Sequence, residues 1–90
     1  MANYAELMSA IIKKQISIIG EKVALDKARS VSGIKVDDSG NVTEGASKAK
    51  LQALLDAYKA VAGGVSIMFA KKAIKPLLTG KEDLPAELVG

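Results

Sequence analysis

The sequence predicts an all-α fold, and three observations predict it. Apolar residues recur at three- and four-residue steps through two long runs, 4–30 and 47–78, as on helices that bury one face. Hydrophobic residues make up 49% of the chain but aromatics only 3%. The core is therefore aliphatic, built from Ala, Val, Ile, Leu and Met, which suits helix-on-helix packing better than a sandwich. Turn-forming residues concentrate in the single stretch 31–46 between the two runs.

The first run opens at Asn3, a residue suited to capping, with Glu6 three positions on to complete a capping box. Leu7/Met8, Ile11/Ile12, Ile16, Ile18/Ile19, Val23 and Leu25 form its apolar stripe, and Lys13, Lys14, Glu21, Lys22 and Asp26 its polar face. Gly20 sits inside the run and costs about 1 kcal/mol relative to Ala. It reads as a close-packing site or a kink, with a break into two helices as the competing reading.

In the linker, Ile34-Lys35-Val36 and Val42-Thr43-Glu44 alternate apolar and polar on either side of Asp37-Asp38-Ser39-Gly40-Asn41. That pattern fits a short β-hairpin. An isolated hairpin is marginal in water, so it would have to pack on the helices or pair with another chain.

The second run starts after Ser47, an N-cap residue, and carries Leu51, Leu54/Leu55, Tyr58, Val61/Ala62, Val65 and Met68/Phe69 as its stripe. Gly63-Gly64 interrupts it, Pro76 stops or bends its end, and Thr79-Gly80 offers a stop signal. The tail, 81–90, is polar before Leu84 and Leu88, and either docks as one helical turn or frays.

The single domain, 1–90, is thus expected to hold two long helices in an antiparallel hairpin. Adjacent apolar pairs point about 100° apart on a helix, so one neighbour leaves a second apolar face wet. A homodimer forming a four-helix bundle from two hairpins is the simplest remedy. Four helices within one chain, broken at Gly20 and at Gly63-Gly64, are the competing arrangement.

Composition narrows function. The chain has 0 Cys and 0 His, which removes the thiol nucleophile, the thiolate metal ligand and the imidazole base. No catalytic residue, cofactor or metal site is expected. Asp37, Ser39 and Asn41 match the first positions of a calcium loop, but Val42 and Lys48 stand where the loop needs Gly and a bidentate Glu. The glycines at 63 and 64 lack the preceding strand and the Gly-Lys-Ser/Thr ending of a phosphate loop. They read instead as helix packing, with Ala60, Gly63, Gly64, Val65, Met68 and Phe69 as the candidate interaction residues.

Lys71, Lys72 and Lys75 form a basic patch at a helix end, without aromatic residues for base stacking beside them. The net charge of +3 is mild, the cations are dispersed, and Arg29 is the sole arginine, which argues against a dedicated nucleic-acid binder. The longest apolar stretch, 60–70, falls short of the roughly 20 residues of a membrane span. Residues 1–6 lack a basic start, so no secretory signal is read there and the cytoplasm is the expected location.

Leu51-Gln52-Ala53-Leu54-Leu55-Asp56-Ala57-Tyr58, followed by Gly63-Gly64-Val65-Ser66 and Ala70-Lys71-Lys72-Ala73, resembles small helical modules found beside roadblock-type or sensor domains in prokaryotic signalling proteins. The resemblance covers the second half of the chain. Val65 stands where those modules often carry Pro. It implies a protein-interaction role. The expected function is a small interaction or regulatory module acting as a homo-oligomer. The alternatives are weak binding of nucleic acid or an anionic surface through the basic helix ends, and carriage of an apolar ligand in the core.

Overall fold

The computed structural model describes residues 3–89. Met1 and Ala2, which begin the stretch read as lacking a secretory start, and Gly90 at the end of the tail lie outside the described residues. The chain is mostly helical, with one small sheet: helices α1 (Tyr4–Ile19) and α2 (Glu21–Arg29), strands β1 (Lys35–Val36) and β2 (Val42–Glu44), then helices α3 (Lys48–Ala62) and α4 (Gly64–Ile74). Single 3₁₀ turns follow at Lys75–Leu77 and Ala86–Leu88.

The expected pair of long helices is corrected to four shorter ones. Gly20, at φ 92° and ψ 153°, separates α1 from α2, and Gly63, at φ 66° and ψ −149°, separates α3 from α4. Both glycines occupy a backbone region open essentially to glycine alone. Each still donates its N–H into the helix it ends, Gly20 to Ile16 at 3.1 Å and Gly63 to Lys59 at 2.8 Å. Each corner therefore stops one helix cleanly and starts another in a new direction. The helix-stop signal at Thr79-Gly80 is also superseded, because α4 ends at Ile74 and Pro76 sits in the 3₁₀ turn beyond it.

The start signals behave as their chemistry dictates. The Asn3 side chain accepts from the Glu6 N–H at 2.8 Å, and Ser47 Oγ accepts from the Lys50 N–H at 3.1 Å. α1 buries Leu7, Met8, Ile11, Ile12 and Gln15, and α3 buries Leu51, Leu54, Leu55 and Tyr58. These two stripes form the centre of the core. α2 contributes Ala24, Leu25 and Ala28, and α4 contributes Ala70 and Ile74. One chain thus supplies all four helices, and most of the apolar surplus assigned above to a partner hairpin is covered from within.

α1 and α4 lie antiparallel and share the most extensive helix contact. The buried Gln15 Nε2 donates to the Ser66 carbonyl at 3.3 Å, and the Lys14 ammonium lies over the Phe69 ring. Tyr58 at the end of α3 donates its hydroxyl to the Ala24 carbonyl near the start of α2, at 2.8 Å. These two cross-links bring both glycine corners to the same end of the molecule.

The expected hairpin is present. β1 and β2 pair antiparallel, Lys35 with Glu44 and Val36 with Val42, and the shift between those pairs leaves Thr43 as the extra residue of a bulge. It is not free-standing. The Val42 N–H donates to Ser9 Oγ on α1 at 2.9 Å, Val42 is buried, and Gly40 sits against Ile12 and Ile16. That docking supplies the apolar support that two strands lack alone.

The tail docks rather than frays. Leu88 and Pro85 are buried, Tyr4 donates its hydroxyl to the Asp83 carbonyl at 2.6 Å, and Lys48 pairs with Asp83 at 2.9 Å. Lys59 pairs with Glu87 at 2.9 Å, and Gln52 donates to the same carboxylate.

Candidate interaction surfaces

Two surfaces stand out: an end with several exposed apolar side chains and a lysine-rimmed groove. The first surrounds the glycine corners. Ile18 is 39% exposed, Val23 40%, Val61 41%, Val65 50% and Met68 58%. Ile18 and Val23 flank Gly20, and Val61 and Val65 flank Gly63. These side chains continue the core stripes of α1 and α3 beyond the point where another helix can cover them, because each glycine turns the chain away.

The residues assigned above to helix packing fall here, but not at a contact within the chain. Ala60, Gly63 and Gly64 are exposed. No atom outside the corner's own backbone lies within 4 Å of a Cβ built at Gly63 or Gly64, so no other helix backbone approaches them. Val65 and Met68 are exposed, and only Phe69 is partly buried. The Phe69 ring lies between two ammonium groups, Lys14 Nζ and Lys72 Nζ, each 5.8 Å from its centroid. That is cation–π distance, and it ties the basic face of α4 to that of α1.

The second surface is a groove of about 450 Å³ between α4 and the docked tail. Met68, Ile74, Leu78 and Leu88 form its apolar lining, and Lys71, Lys72 and Lys75 stand around it. The sequence-assigned basic patch is thus held together at one place, by successive turns of α4 and the start of the 3₁₀ turn. Leu78 and Leu88 carry no local signal for this role, since the tail that brings Leu88 there is placed by contacts distant in sequence. Among the described residues, no carboxylate forms an ion pair with Lys71, Lys72 or Lys75. α4 contains no acidic residue, and α1 has none after Glu6. The tail that forms the other wall carries Glu82, Asp83 and Glu87, of which Asp83 pairs with Lys48 and Glu87 with Lys59, so the positive field belongs to the α4 wall of the groove.

Elsewhere the titratable groups serve the fold. The Asp37 carboxylate accepts from the N–H groups of Asn41 and Ser39, each at 2.9 Å. The Asn41 backbone bond, then its side-chain bond, holds the Asp37 pKa below the ordinary value. The residues spaced like the start of a calcium loop therefore close an Asx turn on their own backbone. Burial pushes the Tyr58 phenol well above its usual range. Hydrogen bonds from Gln52 and Lys59 lower the Glu87 pKa, and Glu87 in return raises that of Lys59. Among the described residues, no three His, Cys, Asp or Glu side chains gather in a metal-binding group, and no helix is long and apolar enough to cross a membrane.

No family model matches this chain, and no curated protein or solved structure matches it either.

Proposed function

We propose that the protein is a small non-catalytic interaction module that works as a homodimer, two copies meeting through the apolar ends at Gly20 and Gly63. The observation that carries this reading is the exposure of Ile18, Val23, Val61 and Val65, one on either side of each glycine corner, alongside Met68 and Val89 as the other large exposed hydrophobics among the described residues. Exposed apolar side chains gathered in one place mark interaction sites. The exposed charges beside these side chains, Glu21 and Lys22, are of opposite sign, so the surface does not repel a second copy of itself, and two-fold dimers are the commonest oligomers. Because each chain buries its own core, the dimer joins two folded protomers rather than two half-bundles. Ala60, Gly63 and Gly64 then act as small residues at the seam, where they let the two backbones approach. The protein-interaction role implied by the resemblance to sensor-associated modules fits a protein whose output is association.

Light scattering coupled to size exclusion at micromolar concentration tests this reading. The expected mass is twice the 9.4 kDa of one chain, and Ile18→Glu with Val65→Glu returns it to the monomer with helicity intact. A wild-type monomer whose cooperative melting does not depend on protein concentration overturns the dimer.

A further inference from the structure

The groove between α4 and the tail has features the dimer does not use. Its lining is apolar, its volume is about 450 Å³, and the three lysines around it form no ion pair among the described residues. Lysine stems lie along apolar surface while their heads reach outward. This arrangement therefore offers an alkyl slot with cations at its rim.

Size decides which anionic amphiphile it suits. A helix with its side chains is about 10–12 Å across and rises about 5.4 Å per turn, so one turn alone would fill the space. Helix-in-groove recognition uses anchors spread over two turns. A single alkyl chain fits better. An apolar cavity of about 150 Å³ holds a six-carbon ring, so the groove has room for a chain of roughly a dozen carbons or more. Charge complementarity sets the other end of the ligand. Lys72 already lies over the Phe69 ring, and a terminal carboxylate adds an opposite charge for Lys71, Lys72 and Lys75 that a neutral chain does not.

We infer that the groove lined by Met68, Ile74, Leu78 and Leu88 and rimmed by Lys71, Lys72 and Lys75 binds the anion of a long-chain fatty acid. The chain lies against Met68, Ile74, Leu78 and Leu88, and the carboxylate is held by the lysine heads. Met68 borders both surfaces, whereas Ile18, Val23, Val61 and Val65 play no part here, so the variants at Ile18 and Val65 test the dimer and those at Lys72 and Lys75 test the groove.

The test titrates methyl-labelled protein with dodecanoate, below its micellar concentration, and follows the methyl resonances of Met68, Ile74, Leu78 and Leu88. The expected result is saturable shifts confined to these methyls. Dodecanol binds about tenfold more weakly or worse, and Lys72→Glu with Lys75→Glu loses about tenfold in dodecanoate affinity, with a melting temperature lowered only by loss of the Lys72–Phe69 contact. Both lysines are exposed, so the variant keeps its fold. Equal binding of dodecanol, unchanged affinity in the variant, or shifts spread over the whole core overturn the site. So does binding to phosphatidylglycerol vesicles without a saturable response to dodecanoate, which would make the face a membrane contact instead.

Discussion

The Tyr58 hydroxyl donates to the Ala24 carbonyl across 2.8 Å, joining the last turn of α3 to the first turn of α2. The phenol is buried, so the bond forms where water does not compete. Tyr58→Phe is expected to cost about 1 kcal/mol of stability in urea unfolding, the usual net worth of such a bond. The same substitution changes the alkaline limit. The folded-state pKa is raised, so this contribution is full below the ordinary tyrosine value near 10 and is lost as pH rises through the folded value. Wild type should lose stability more steeply than Tyr58→Phe as pH rises from about 10 towards the folded value.

Neighbouring glycines at the second corner should respond with opposite signs. Gly63 has φ 66° and ψ −149°, so Gly63→Ala should cost about 1–3 kcal/mol. Gly64 begins α4 and has open space where a Cβ would stand, so Gly64→Ala should be neutral or gain a few tenths of a kcal/mol. Thermal melting of the two variants side by side checks this. A cost at Gly64 that appears only above the association concentration would place its Cα at the dimer seam.

Gly45 is under a tighter constraint. Its φ is 85°, and an added Cβ would overlap the Gly33 carbonyl oxygen. Gly45→Ala should destabilise by at least about 2 kcal/mol, since strain and overpacking add. Loss of the hairpin's cross-strand contacts in the NMR spectrum should accompany the fall in melting temperature.

The tail should loosen in acid. Glu87 has a lowered folded-state pKa, from its bonds to Gln52 and Lys59. Its contribution is therefore present above the ordinary glutamate value near 4.3 and is lost as pH falls through the folded value. Lys59 mirrors this at the alkaline side, since its raised pKa makes its contribution persist until pH exceeds the folded value. Intrinsic-rate-corrected amide protection at Leu88 and Val89 should be higher at pH 6 than at pH 3. Glu87→Gln should remove that difference.

The helical stripes were legible because a 3.6-residue period imposes itself on any sequence that buries one helix face. Leu7, Ile11, Leu51, Leu54 and Tyr58 are buried where the pattern puts them. The hairpin was legible from its turn residues and alternation. The corners were not decided, because a glycine in a helix costs only about 1 kcal/mol, and nothing local to Gly20 or Gly63 states which backbone region it adopts. Hence Ile18 and Val61 read as core, although the chain turns before anything can cover them. The basic half of the groove was visible as Lys71, Lys72 and Lys75. Its apolar half needed Leu88, which is placed by the Lys59–Glu87 and Lys48–Asp83 pairs between residues 28 and 35 positions apart.

The seating of α1 on α4 governs how the molecule reaches its native state. Gln15 and Ser66 meet across 51 residues, so their contact follows the closure of a long loop, which is entropically slow. Each glycine corner, by contrast, joins helices adjacent in sequence, and both helix pairs can assemble locally. This topology predicts that docking of one preformed pair on the other limits the folding rate. Substitutions at Gln15 or Ala70 should slow refolding, whereas those at the Tyr58–Ala24 link, where α3 meets α2, should report whether the second seam closes in the same step.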